Sequence, residues 1–515
     1  MRKYGPLVLG FLVLCVPVAL ADQPQGKVVA DTWEVVRLGG YRVGHVHTLT
    51  REVAVKEAKV LHTSMQFELT LKRSGAVQKL KFENGSDETA DGKVVGVSVT
   101  MYTGPAKLTV AGRVEGDALV LRGEGGRELK RLPWDPSALG IYAQDRAWKE
   151  KKVKPGDRFE FTNYELAIER AFKVKVTVKE PEETVVLEVN KEEPKGKAEH
   201  VKRSLLRVEG VPDKVEVGGA PLQLPKVISW LDKDWNVLRT ETQMPGLGRV
   251  ITYRTTKTVA MEEGASPELL PDLLQTTLIR LDKAIDRPSE RAEVVYRITV
   301  TGDDDPATMF ARDARQSVEN ATGNTFNLRA RAQRSPRVVD RPEKVGAEHR
   351  GSNHYLDSDD EVVKALAARA VGNERDPLTK ARRIEKWVHD NMTFTSEIAS
   401  ATASQVARDL KGDCRQHAIL TAAMCRAACL PSRTALGLVY TFDRDKGPVL
   451  AFHMWTEAYV VDQWLSLDAI PDRSGVSATH LKVADLSWHD TQTLAPMLSV
   501  LRVLEKIKVE VVAVK

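Results

Sequence analysis

The chain has 515 residues, of which 42% are hydrophobic and 29% are charged. This is ordinary globular composition, and the length is enough for about three domains at roughly 150 residues each. The net charge of +5 is small for this length. It does not indicate the excess of basic residues typical of nucleic-acid-binding proteins, so we expect no nucleic-acid partner.

The first 21 residues have the pattern of a secretory signal peptide. Arg2 and Lys3 form a short basic region, Leu7 to Leu20 is apolar, and Ala19-Leu20-Ala21 is a small-x-small cleavage site. No other apolar run reaches a spanning length, so we expect no membrane span after signal cleavage and a secreted or periplasmic location. The alternative is an uncleaved N-terminal anchor.

Residues 22–260 are predicted to form an antiparallel β-rich domain of unknown role. Apolar and polar residues alternate in several segments, which gives each strand one buried face and one wet face. The clearest segments are Met65–Leu71, Val95–Met101, Phe159–Phe161 and Val174–Val178. Gly39-Gly40 predicts a hairpin, and a helix is expected near Pro136 to Asp145. Many turn-separated strands favour a twisted sheet, a sandwich or an open barrel.

Residues 261–350 are predicted to be a connector with a helix, a strand and a basic linker. Pro267 to Ala284 has helical spacing, and Val294 to Val300 has the pattern of a strand. Arg329 to Arg350 is rich in Arg and Pro, which is typical of a mobile linker. No aromatic residues interleave its arginines, so a solvated linker is favoured over a binding patch. Asp303 to Asp305 is expected to be a solvated turn, with a weak cation site as the alternative.

Residues 351–515 are predicted to be an α+β domain, in which helices come first and strands follow. Ser358 is the expected N-cap of a helix from Val362 to Val371, and Asp376-Pro377 opens a second helix. The remaining predicted elements are a short helix at Ser404–Leu410, a longer helix at Cys414–Ala428, and strands at Arg433–Phe442, Phe452–Val461 and Trp464–Ala469.

Three cysteines remain after signal cleavage, and all lie within sixteen residues. An odd number leaves at least one thiol free or paired between chains. Cys414 stands where a glycine-containing loop meets a helix start, whose free N–H groups and dipole favour a thiolate and an oxyanion. We expect its sulfur to face a cleft. Cys425 and Cys429 lie four apart in an apolar helix and are expected to pack as small hydrophobes.

His453 and Asp468 lie on consecutive predicted strands that are joined by a tight turn near Val460 to Gln463. A two-residue loop sets a register that places both side chains on one face of the hairpin. Directly opposed Cβ atoms are about 5 Å apart, which lets a carboxylate hydrogen-bond an imidazole. A bulge would break this parity. A helix-start Cys with a His and an Asp on neighbouring strands is the nucleophile, base and orienter pattern of thiol enzymes.

Four segments of this region resemble motifs of the transglutaminase-like superfamily, over about residues 355–485. The segments are Gly412–Ala418, Arg426–Arg433, Phe452–Tyr459 and Trp464–Asp468. The resemblance implies a papain-like α+β core in a catalytic domain, with Cys414 as nucleophile, His453 as base and Asp468 as orienter. One residue departs from the family pattern: Cys429 stands where family members usually have a glycine that ends the helix.

The resemblance implies attack of a Cys414 thiolate on an amide carbonyl of a protein or peptide, through an acyl-enzyme. Transfer to an amine would make the protein a transferase, and transfer to water would make it an amidase or peptidase. We expect no cofactor and no metal. The alternative is a catalytically silent transglutaminase-like protein that acts as a binding or scaffold module through its β-rich region.

Several other polar and aromatic residues receive no catalytic role. His45 and His47 could be half of a metal site, but a wet strand face is favoured because no third ligand lies nearby. Trp455 and Trp464 are expected to pack around the triad. His480 and His489 lie beyond the predicted triad and are given no role.

Overall fold

The computed structural model describes residues 26–515, apart from 56–57, 104–105, 123–127, 190–197, 218–219, 267–268, 271, 304, 334, 337–344, 398–400, 471–474, 490–499, 501 and 505. The predicted signal peptide, residues 1–21, lies outside the described residues, as does the middle of the predicted basic linker. Within the described residues, no helix combines the length and the apolar character that crossing a bilayer requires.

The N-terminal half of the described chain forms one sheet of fifteen strands, in the order β8-β7-β6-β5-β4-β3-β2-β1-β17-β16-β15-β12-β11-β10-β9. Only the β9–β10 pair is parallel among these described strands. The elements are β1 (Lys27–Leu38), β2 (Tyr41–Val55), β3 (Ala58–Arg73), β4 (Ala76–Thr89), β5 (Val94–Thr103), β6 (Ala106–Glu115), β7 (Ala118–Arg122), β8 (Glu128–Pro133), β9 (Ala138–Leu139), α1 (Ile141–Lys151), β10 (Arg158–Glu165), β11 (Arg170–Val189), β12 (Ala198–Pro212), the separate hairpin β13 (Val215–Val217) and β14 (Ala220–Leu222), β15 (Val227–Leu231), β16 (Val237–Met244) and β17 (Gly248–Thr255).

The segments with predicted apolar–polar alternation form strands of this sheet, and the predicted glycine pair forms its first hairpin. Gly39 and Gly40 both have positive φ and join β1 to β2, as their sequence predicts. A bridge between Lys93 and Leu139 brings the β9 edge against the start of β5, so the sheet curls back on itself. Helix α1 begins later than predicted and has no capping side chain of its own. Its first N–H, that of Ile141, donates to Ser86 Oγ, and the next two donate to the buried carboxylate of Glu88.

The C-terminal part combines helices with a mixed set of short sheets. Its elements are α2 (Lys257–Ala260), α3 (Leu273–Thr277), β18 (Ile279–Arg280), β19 (Glu293–Val300), β20 (Gln316–Thr322), β21 (Thr325–Arg331), α4 (Glu361–Val371), α5 (Pro377–Asn391), β22 (Thr393–Phe394), α6 (Ala403–Asp409), β23 (Lys411–Gly412), α7 (Cys414–Ala427), β24 (Ser432–Asp443), β25 (Gly447–Val460), β26 (Gln463–Leu467), β27 (His480–Leu486) and β28 (Ile507–Val514). The predicted α+β class is confirmed: an antiparallel β-rich region is followed by a region that contains both helices and strands.

Helix α7 lies at the centre of the α+β region. Its residues 416–426 are all buried, and it packs against α4, α5, α6 and the strands β24 and β25. Asp376 caps α5 as predicted, since its carboxylate accepts from the Thr379 N–H. Helix α4 is capped by Asp360 rather than Ser358, because the Asp360 carboxylate accepts from two N–H groups of the first turn.

Residues 261–350 do more than connect the two regions. Strand β18 pairs with β25, and β19 pairs with β28, so this segment supplies strands to the sheets of the C-terminal part. The predicted helix is confined to α3. Arg329 and Arg331, which were assigned to the linker, lie in β21 and pair with Glu293. The prediction of a solvated Asp303 is wrong, because its side chain is buried against Arg502 at 2.8 Å.

A buried ionic network ties three strands together on the strand face that carries His453. Lys482 on β27 and Arg433 on β24 each lie 2.7 Å from the same carboxylate oxygen of Glu457 on β25. The Glu457 and Lys482 side chains are at most 2% exposed. The Arg433 guanidinium also covers the Trp464 ring, 4.1 Å from its centroid. A carboxylate that is buried this deeply is stable only while its cations remain.

We predict that Lys482→Met destabilises the protein by about 3–5 kcal/mol, because it leaves Glu457 with an incompletely compensated buried charge. The free energy of unfolding is measured by urea denaturation of the full chain, followed by tryptophan fluorescence. Lys59→Met is the matched control, since Lys59 pairs with Glu52 on the surface and its loss should change stability little. Equal effects of the two substitutions would contradict the assigned role of the network.

Candidate active site

The sequence around Cys414 builds a helix start with tightly defined geometry. The Asp413 carboxylate accepts from the Arg415 N–H at 2.9 Å, and the Gln416 side-chain oxygen accepts from the Asp413 N–H at 3.1 Å, which is a reciprocal capping box. Only glycine fits at position 412, because a Cβ there would lie 2.2 Å from the Cβ of Gln416. These contacts place Cys414 at the first position of α7, where backbone N–H groups lack intrahelical acceptors.

His453 and Asp468 meet across the β25–β26 hairpin. The turn residues Val461 and Asp462 both have positive φ, and the strand pairs Thr456 with Leu467, the register parity that the sequence predicts. Asp468 follows the last paired residue of β26 and reaches His453 diagonally. His453 Nε2 lies 2.9 Å from Asp468 Oδ2. The other ring nitrogen, Nδ1, is therefore the one that can exchange a proton with the Cys414 sulfur.

A second histidine holds the same carboxylate oxygen. His480 Nε2 on β27 lies 3.1 Å from Asp468 Oδ2. The Ser477 N–H donates to His480 Nδ1 at 3.2 Å, so Nε2 carries the proton and donates to Asp468. Burial lowers the pKa of His480 to about 4, despite its bond to Asp468, so the ring is neutral at physiological pH. The Asp468 backbone N–H is fixed in turn by Glu385 Oε1, at 2.8 Å.

Charge in the site favours a thiolate beside an imidazolium. Burial alone would lower the pKa of His453, but the Asp468 carboxylate and the contact with Cys414 raise it to about 9. Burial and the Asp413 charge oppose ionisation of Cys414, but the hydrogen bond and charge of His453, together with the charge of Arg73, bring the pKa of the thiol below its ordinary value. Despite its burial, Asp468 has a depressed pKa, because both histidines donate to it.

The Cys414 side chain is more enclosed than the sequence predicts. We expected its sulfur to face an open cleft, yet the residue is only 8% exposed. It packs against apolar side chains from the helix, the sheet and the following loops, namely Ala418, Leu436, Met454, Ile470 and Leu486. A helix-start position alone could not predict this, since the covering residues come from distant segments.

Two contacts bring the N-terminal sheet close to Cys414. Arg73, the last residue of β3, lies 2.5 Å from Asp413 Oδ2 through Nη1. Gln78 on β4 donates to the Ser396 carbonyl oxygen at 2.7 Å. Arg73 and Asp413 are 340 positions apart, and no local sequence pattern links them. Sequence analysis therefore missed Arg73, as it missed His480, whose strand pairs with β24 on the side away from the hairpin.

The other two cysteines differ from each other. Cys425 is fully buried, and burial raises its pKa to about 12, in agreement with the prediction of a packed thiol. The same prediction is wrong for Cys429, which is exposed. Cys429 has a φ of 63°, a left-handed conformation that glycine adopts more readily than cysteine. All three cysteines of the described residues are free thiols.

One group of described side chains has the spacing of metal ligands. The ligand atoms of His453, Asp468 and His480 lie within 4.8 Å of one another. The hydrogen bonds from both histidines to Asp468 account for this proximity. His47 instead stacks on Trp33 and lies 3.0 Å from Asp31, at the surface of β1 and β2.

Comparison with known proteins identifies the region that contains the site. Residues 364–469 match the model of the transglutaminase-like superfamily, and this span includes Cys414, His453 and Asp468. A search of curated proteins gives no significant match.

Three solved structures give distant alignments. A candidate cysteine protease from Cytophaga hutchinsonii has 18% identity and TM-score 0.27, covering 38% of this chain and 80% of that one. The periplasmic domain of TgpA from Pseudomonas aeruginosa, bound to ethylmercury, has 15% identity and TM-score 0.20, covering 35% and 91%. A β-barrel-like protein of unknown function from Brucella abortus has 12% identity and TM-score 0.31, covering 45% and 98%. At these TM-scores no conclusion is based on the alignments.

The sequence motifs and the family model agree on the same segment, and the motif residues converge in space. Residues 364–469 in the C-terminal part of the chain are therefore a transglutaminase-like superfamily segment, as the sequence predicts.

Proposed function

We propose that this protein is a thiol-dependent enzyme that cleaves or transfers amide-linked acyl groups of a protein or peptide. Cys414 is the nucleophile, His453 the general base and acid, and Asp468 the orienter. The observation that supports this most directly is the buried hydrogen bond between His453 and Asp468, with the His453 ring lowering the pKa of the buried Cys414 thiol. The N-terminal signal pattern supports export, so we place the reaction in the periplasm or outside the cell.

The reaction follows from the charges in the site. The Cys414 thiolate attacks the amide carbonyl carbon, and the carbonyl oxygen becomes an oxyanion. The Asp413 side chain caps the N–H groups of Arg415 and Gln416, which leaves the Cys414 N–H at the helix start to stabilise that oxyanion. His453 then gives its Nδ1 proton to the leaving amine, and the C–N bond breaks to form a thioester.

The second half of the reaction regenerates the thiol. His453, now neutral, takes a proton from an incoming amine or water, which attacks the thioester carbonyl. The carbon–sulfur bond breaks, and the product is a new amide or a carboxylic acid. Asp468 keeps its charge throughout, because its two histidine partners hold it in the ionised form.

We predict that iodoacetamide alkylates Cys414 faster than Cys425 or Cys429 at pH 6. The lowered pKa of Cys414 maintains a thiolate there, whereas burial keeps Cys425 protonated. His453→Ala should slow Cys414 labelling about tenfold or more, because the stabilising cation is lost. Peptide mass spectrometry measures each rate, and the exposed Cys429 is the internal reference. Labelling of Cys414 no faster than Cys429 would favour the catalytically silent alternative.

We predict that the wild-type protein forms acyl-enzyme on Cys414 when it is incubated with a peptide mixture and a fluorescent primary amine. Intact mass identifies the thioester adduct, amine incorporation reports transferase activity, and new termini or ammonia report hydrolysis. Cys414→Ser is the matched control, since serine keeps the size but is not activated as a thiolate. Identical products from both proteins would contradict the proposal.

We predict that His480→Ala lowers kcat/KM about tenfold on the substrate that this incubation identifies, because Asp468 loses a charge-assisted hydrogen bond. KM should change little, since His480 lies behind the orienter. His480→Gln retains an N–H donor and should recover part of the rate. Equal losses in both variants would argue against the donor role of His480.

A further inference from the structure

An arginine from the N-terminal β-rich region lies beside the residue that precedes Cys414. Arg73 Nη1 lies 2.5 Å from Asp413 Oδ2, and the guanidinium interacts electrostatically with the Cys414 thiol. The Asp413 side chain is 5% exposed and that of Arg73 is 22% exposed. A cation in this position acts on both the thiol and the carboxylate next to it.

The hairpin that carries Arg73 is fixed at its tip. Arg73 precedes the turn residues Ser74 and Gly75, which both have positive φ. Their N–H groups donate to the two carboxylate oxygens of Asp272, at 2.9 and 2.6 Å. Asp272 also caps α3 by accepting from the Leu274 N–H. The turn is therefore attached to the chain segment that leads into the C-terminal part.

A second contact fixes the other strand of the same hairpin. Gln78 on β4 donates to the carbonyl oxygen of Ser396, shortly after β22, and β22 pairs with β23 just before the nucleophile. The guanidinium of Arg73 thus reaches Cys414 from a hairpin that is held on both sides. Its position does not depend on the Asp413 ion pair alone.

The charges around Cys414 give this arginine a chemical role. The groups that face the thiol are Asp413, His453 and Arg73. The Asp413 carboxylate is needed to cap α7, but its negative charge opposes a thiolate one residue away. Arg415 offsets part of that charge, at 2.8 Å from the carboxylate. Arg73 offsets Asp413 at 2.5 Å, and its positive charge also favours the ionised form of the thiol, so it favours the thiolate in two ways.

We propose that Arg73 of the N-terminal β-rich region is a further active-site residue, which sustains the reactive form of Cys414 and makes thiol activation depend on the docked β-rich region. This inference rests on the proposed function. It assigns the β-rich region a part in the chemistry, in addition to any part in substrate binding. The thiol and its base come from the transglutaminase-like segment, and the supporting cation comes from the sheet.

The test compares full-length Arg73→Gln, Arg73→Lys and Arg113→Gln with the wild type. The rate of Cys414 alkylation by iodoacetamide is measured from pH 5 to pH 9 by peptide mass spectrometry. Arg73→Gln should raise the apparent pKa of Cys414 by about one unit and slow labelling at pH 6 about tenfold. Arg73→Lys keeps the charge and should recover most of the rate. Arg113, which pairs with Asp87 elsewhere on the sheet, should have no effect.

A folded Arg73→Gln protein with a wild-type pH profile would overturn the inference and leave Arg73 as a docking contact only. Circular dichroism and thermal melting establish folding. If Arg73→Gln does not fold, the Asp272→Asn variant tests the inference instead. This substitution loosens the hairpin tip and leaves every charge next to Cys414 in place. Asp272→Asn should slow labelling at pH 6, and an unchanged rate would overturn the inference. Slow labelling of wild-type Cys414 would instead contradict the proposed function itself.

Discussion

The site depends on one buried carboxylate. Asp468 is enclosed, ionised and held by donors from two strands, and its charge in turn holds His453 in the orientation and protonation state that the sulfur requires. A buried carboxylate without these donors would take up a proton and lose its influence on the ring. The hairpin register, the β27 pairing and the Glu385 contact all serve to keep this single oxygen in place.

The strands behind that carboxylate are stiffened by a second buried charge. Glu457 lies on the same face of β25 as His453, four residues further along, and pairs with Arg433 of the adjacent β24 and with Lys482 of β27, the strand beyond β24. Packing alone would allow β25 small sliding movements relative to its neighbours. Three strands that share one ionic centre cannot slide without breaking it, which is a physical reason for precise placement of the imidazole.

Contacts between residues that are close in sequence could be predicted, whereas contacts between distant segments could not. The parity of the β25–β26 hairpin could be predicted because a two-residue turn fixes it, and the start of α7 could be predicted because Gly412 and Asp413 are adjacent to Cys414. The strand-forming segments of the N-terminal half were evident from alternation. Gly39-Gly40 also gave a hairpin with the expected residues.

The contacts that could not be predicted are made between strands that are far apart in sequence. His480 reaches Asp468 through β27, and Arg331 lies in a strand completed by β19, so neither contact is encoded by neighbours in sequence. The spacing of Cys429 from Cys425 in an apolar helix predicts a packed side chain, but the helix ends at Ala427, and Cys429 is exposed with a left-handed backbone. The sequence predicts Ser358 as the N-cap of α4, whereas Asp360 supplies the cap, because the fold around α4 decides between two residue types of similar capping propensity.

The distance in sequence between Arg73 and Cys414 has a consequence for the reactivity of the thiol before the chain has folded. Arg73 and Asp413 are 340 positions apart, so the arginine comes to lie beside the residue that precedes Cys414 only after both regions have been synthesised and folded. In the unfolded chain Cys414 is an ordinary, slowly reacting thiol. On the arrangement proposed above, its reactivity appears only when the tertiary structure is complete.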